Sequence, residues 1–85
     1  MEERWTLVVR LLRDVVDERV TSEEAMRRLQ ELSDEMRGRH FGAAWAQIQH
    51  YGDDADIRER EPAYGKKQRK DMKDLANKIE RTMSR

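Results

Sequence analysis

The chain has 85 residues, with 18 Lys and Arg against 18 Asp and Glu, 42% charged residues and no cysteine. That length has no room for a two-domain enzyme, a TIM barrel or a complete dinucleotide-binding fold, and the missing thiols exclude disulfides, thiolate metal sites and cysteine nucleophiles. Only 15 residues are Leu, Ile, Val or Phe, a share that goes with disorder when net charge is large, but here the net charge is zero.

The opening segment carries Trp5, Leu7, Val8, Val9, Leu11, Leu12, Val15 and Val16. At 100° per residue these cover an arc of about 200°, with Thr6, Arg10, Arg13, Asp14 and Asp17 opposite, which predicts a helix over 2–19. The arc is wider than one neighbour can cover. Thr21-Ser22-Glu23-Glu24 then forms a capping box, the hydroxyl accepting from the first turn and the glutamate bonding back. A second helix over 22–37 follows, with Ala25, Met26, Leu29, Leu32 and Met36 in phase and Gly38 as its left-handed stop. The short link between these helices favours an antiparallel hairpin.

Phe41, Ala44, Trp45 and Ile48 stand at i, i+3, i+4 and i+7 and predict a third helix over 39–51, ended by Gly52. Residues 52–61 read as an acidic connector, with room for one helical turn capped by Asp53 or Asp54. Pro62 suits a first helical position. The last helix is predicted over 62–83, burying a narrow stripe of Tyr64, Met72, Leu75 and Ile79, with Met83 at its end.

Charge divides the chain. Residues 1–64 hold 10 Arg, no Lys and 15 acids, whereas residues 65–85 hold 8 bases and 3 acids. Lys66, Lys67, Arg69, Lys70 and Lys73, continued by Lys78 and Arg81, could neutralise several phosphates. Asp71, Asp74 and Glu80 dilute the set, and no aromatic after Tyr64 offers a base a stacking platform. The plainer reading is a solvated face that complements the acidic part of the fold, within the molecule or between subunits.

His50 with Asp53, Asp54 and Asp56 has metal-ligand chemistry but lacks the glycine and distal glutamate of a calcium loop. His40 lies a full helix length from His50, so a zinc pair is not expected. Ser22, Ser33 and Ser84 stand in no nucleophile motif, and the glycines form no phosphate loop. Trp5, Phe41, Trp45, Tyr51 and Tyr64 read first as core, although tryptophans also anchor partners. Met26, Met36, Met72 and Met83 read as adaptable packing. No apolar run reaches the roughly 20 residues of a membrane span, and the acidic start does not suit a signal peptide.

The expectation is an all-α domain over 1–85: a small bundle of three to four helices with an N-terminal helical hairpin and a long basic C-terminal helix. A chain this short buries only roughly 60–65% of its unfolded surface, so assembly with a second copy is expected. The expected role is a cytoplasmic, non-enzymatic protein–protein interaction module, an adaptor or regulator that self-associates, without cofactor, metal or membrane partner. Trp5, Val8, Val9, Leu12, Val16 and Trp45 are its candidate contacts. The alternative is a nucleic-acid-binding regulator using Lys66, Lys67, Arg69, Lys70 and Lys73.

Overall fold

The apolar run at the start of the chain becomes helix α1, Glu2–Val16, in a computed structural model that describes residues 2–33 and 38–83, with side chains from residue 4 to residue 82. Four more helices follow among the described residues: α2 Ser22–Leu32, α3 Arg39–Asp53, α4 Ala55–Arg60 and α5 Pro62–Met83. The protein is all-α, as its periodicity implies, and its radius of gyration is 12.5 Å.

Most of the arc of α1 is covered inside one chain, with Leu7 left exposed and Trp5 half-buried. Val8, Leu12 and Val15 are almost fully buried, and Val9, Leu11 and Val16 lie beside them in the core. Helix α5 is the main neighbour of α1, while α2 and α3 also pack against it. Thr6, Val9 and Arg10 share one surface hollow with Glu80, whereas Val15 and Glu18 share another with Arg69, so α1 and α5 run antiparallel. The expected pairing of the first two helices is therefore secondary: α1 packs chiefly on α5, and α2 chiefly on α3.

Helix α1 stops at Val16, short of the expected residue 19, because Glu18 takes a left-handed conformation with φ 60°. The Glu18 amide donates to the Val15 carbonyl at 3.1 Å and the Arg19 amide to the Asp14 carbonyl at 2.8 Å. These two bonds make a Schellman turn, normally built on glycine.

Helix α2 starts as expected: Thr21 Oγ1 accepts from the Glu24 amide at 3.1 Å. The Glu24 carboxylate turns to Arg27 and Arg28. At the other end Ser33 donates its hydroxyl to the Gln30 carbonyl at 2.7 Å, and the expected continuation over 34–37, with Met36, lies outside the described residues. Gly38 opens α3 instead of closing α2 as a left-handed stop. Its φ of 118° and ψ of −179° fall in a region open essentially to glycine alone, and its carbonyl accepts the Gly42 amide at 3.0 Å.

Helix α3 buries Phe41, Ala44, Ile48 and Tyr51, one stripe at helical spacing. It runs through Gly52, which was expected to end it. A Cβ on Gly52 would meet the Ser22 hydroxyl and come within 3.1 Å of the Ser22 Cβ, so this glycine serves the close approach of α2 to α3. The acidic connector is likewise corrected, since most of it forms α4, which packs against α5. Helix α5 buries Met72, Leu75, Ala76 and Ile79, while Tyr64 is half-buried.

Three outcomes follow for stability. A non-glycine residue in the left-handed region costs about 1–2 kcal/mol, and glycine's extra unfolded-state entropy returns roughly 0.5–1. Glu18→Gly is thus expected to raise stability by up to about 1 kcal/mol in a urea titration, and no gain would contradict the turn. Leu12→Ala should cost about 2–5 kcal/mol. Because one chain covers α1, the thermal midpoint should also hold through about a hundredfold dilution, whereas an interface-dependent fold would lose stability by mass action.

Candidate interaction surface

A cluster of polar side chains fixes where α5 begins. Arg58 of α4 lays its guanidinium over the Tyr51 ring, 3.5 Å from the centroid, and donates to the Tyr51 carbonyl and to Gln68 Oε1, the latter at 3.0 Å. Gln68 Nε2 donates to Asp54 Oδ2 at 3.0 Å, and the Tyr64 hydroxyl donates to the same oxygen at 2.7 Å. Asp54 therefore joins α3 to α5. It stands at the N-cap of α4 without making the capping bond expected of it.

Gly65 makes room for this arrangement. A Cβ there would lie 3.3 Å from Arg58 Cδ and 3.1 Å from Arg69 Nη1. The hydrogen bond to Asp54 raises the Tyr64 pKa above 10.0, with burial and the Asp54 charge adding to the shift and the Arg58 charge opposing it.

Near the other end of α5, Arg13 grips Glu80 through both carboxylate oxygens, at 3.0 and 3.2 Å, and reaches Asn77 Oδ1 at 3.0 Å. The hydrogen bond from Arg13, helped by its charge, holds the Glu80 carboxyl below 4.5. This ion pair joins a base on α1 to an acid on α5, the reverse of the sequence-level polarity.

The outer face of α5 is cationic. At 100° per residue Lys66, Lys70, Lys73 and Arg81 fall within an arc of about 80°, and Asn77 lies inside it. All four bases are exposed. The ion pair found for them among the described residues is Lys70 with Asp74, at 4.0 Å. The acids that seemed to dilute the face stand at its edges: Glu80 is held by Arg13, Asp74 sits beside Lys70, and Asp71 faces another surface.

Two sequence candidates leave this line. Arg69 is half-buried on the side of Val15, Arg19 and Arg58. Lys67 opens instead on a cleft of about 280 Å³ between α3 and α5, together with Gln47, His50, Asp54, Tyr64 and Asp71. Gln47 Oε1 is buried there without a hydrogen-bond partner among the described residues.

The partner candidates also divide. Val8, Val9, Leu12 and Val16 belong to the core, which corrects the expectation that they meet another chain. Trp5 and Trp45 are half-buried against that core, Trp5 edge-on to His40 with ring centroids 6.5 Å apart. Leu7, at 44% exposure, is the one large exposed hydrophobic among the described residues. His40 and His50 lie near opposite ends of α3, and among the described residues no group of three or more His, Cys, Asp or Glu could hold a metal ion. Nor is any helix among them long and apolar enough to cross a membrane.

In comparisons with known proteins, no family model, no curated protein and no solved structure matches the chain.

The tyrosine gives a direct check. A raised phenol pKa contributes stability that is complete below the unfolded value near 10.0 and is lost as pH rises through the folded value. Absorbance titration should show a phenol ionising later than free tyrosine. Tyr64→Phe should abolish that late step, and Asp54→Asn should return it toward the ordinary value; a late step that survives Tyr64→Phe would contradict the assignment.

Proposed function

We propose that the chain is a non-enzymatic interaction module in which the rest of the bundle holds α5 so that its outer face meets an acidic macromolecule. The observation that carries this reading is the line of Lys66, Lys70, Lys73 and Arg81, exposed and without an ion pair to the acidic N-terminal part among the described residues. Intramolecular charge complementation would have spent these cations. An adaptor or regulator in the cytoplasm, suggested by the cysteine-free composition, fits this arrangement. Self-association is not needed to cover the six core residues of α1, and the apolar surface this helix leaves for it is Leu7 beside the half-buried Trp5.

A non-enzymatic role draws support from the hydroxyls. Ser33 donates to the Gln30 carbonyl, and Ser22 sits in the close contact with Gly52.

Cation-exchange chromatography tests the reading. At neutral pH and low salt, a chain of net charge zero should still be retained, because the resin meets the cationic face before the whole-molecule charge matters. Replacing Lys66, Lys70, Lys73 and Arg81 by Gln should abolish retention. A control with the same loss of charge, Arg10, Arg27, Arg28 and Arg60 replaced by Gln, should remain bound. Equal behaviour of the two variants would overturn the proposal.

A further inference from the structure

We infer that the partner of this face is the sugar–phosphate backbone of a nucleic-acid duplex, gripped along the length of α5 without reading base sequence. This inference rests on the reading of α5 as the contact surface. From Lys66 to Arg81 the helix advances about 22 Å, with rises of about 6 and 4.5 Å between the three lysines and about 12 Å from Lys73 to Arg81, across Asn77. Duplex strands carry a phosphate every 3.4 Å of axis, so the line spans roughly six to seven steps. A line of like charges running about 22 Å along one helix face is matched by an extended line of opposite charge.

A second copy of the chain does not supply that row. Two α5 faces related by a two-fold axis would set lysine against lysine. On α2 the exposed line alternates Glu23, Arg27 and Glu31, with Glu24 already engaged by Arg27 and Arg28. Around α4 the exposed acids Asp53, Asp56, Glu59 and Glu61 form a shorter group that holds the exposed Arg60. Among the described residues no acidic line of comparable length faces outward.

The residue types point the same way. Every lysine of the chain lies in α5. Three of the four bases in the line are lysines, whose ammonium groups meet phosphate as point charges. No aromatic follows Tyr64, whose hydroxyl is already bound to Asp54, so single strands find no stacking platform.

Fluorescence anisotropy with a labelled mixed-sequence duplex tests the inference, with an equally charged polyglutamate and a single strand as companion probes. Duplex binding should weaken with salt at a log–log slope of about −3.6 for four phosphates neutralised. Lys66→Gln, Lys70→Gln, Lys73→Gln and Arg81→Gln combined should flatten the slope and lose binding, with circular dichroism confirming the helices. The triple lysine-to-arginine variant at residues 66, 70 and 73 should retain binding. If polyglutamate binds as well as duplex, the inference falls and an acidic protein surface takes its place on α5. Tighter binding of the single strand would also overturn it. Should neither duplex nor polyglutamate bind, the reading of α5 as a contact surface falls too.

Discussion

The apolar arc of α1 is the constraint on which the other helices depend. Six of its side chains, Val8, Val9, Leu11, Leu12, Val15 and Val16, enter the core, and full burial of a Val or Leu contributes about 1.5–3 kcal/mol. The remaining helices bring much narrower stripes. Helix α5 buries Met72, Leu75, Ala76 and Ile79 along 22 residues, too little apolar surface to hold so charged a helix in place without a broad partner. By filling the back of α5, α1 decides which side of it faces water. The cationic face is thus a consequence of where the valines of α1 lie.

Much of this was legible in the periodicity. The apolar positions of all four long helices stand at helical spacing, and six of the eight apolar positions the wheel selects on α1 and three of the four on α3 enter the core. The boundaries were less legible because they turn on tertiary packing and on residues used against type. Glu18 occupies a turn position where a reader looks for glycine, and Gly52, which looks like a helix stop, relieves a contact with Ser22 from another helix. The expected interface on α1 had a similar origin: neighbours were weighed one at a time, whereas α5, α2 and α3 together cover all of the arc but Leu7 and part of Trp5.

The polar cluster around Arg58 could not be read from the chain. Its members, Tyr51, Asp54, Arg58, Tyr64 and Gln68, come from three helices and from a segment whose charges suggest a solvated connector. Only the packing turns Asp54 from a cap into a cross-link and Gly65 from a helix-weakening residue into the space Arg58 needs. The line on α5 was half legible. Lys66, Lys70 and Lys73 were among the candidates, but the part played by Glu80 depends on Arg13, far away in sequence.

Arginine and lysine divide the work of the chain according to their chemistry. Arg13 uses the planar fork on Glu80 and Arg58 makes two directed bonds from Nη1 while stacking on Tyr51, so both tie helices together, whereas the lysines stay exposed on the outside of α5. This division makes the zero net charge a poor guide to recognition. At physiological ionic strength the Debye length is about 8 Å, and the molecule is 21 Å across even along its shortest axis. Acids on the far side are therefore screened from a partner approaching α5, and of the two acids at its edges Glu80 already carries Arg13 while Asp74 pairs with Lys70. What such a partner meets is the local sign of one helix face, which is positive.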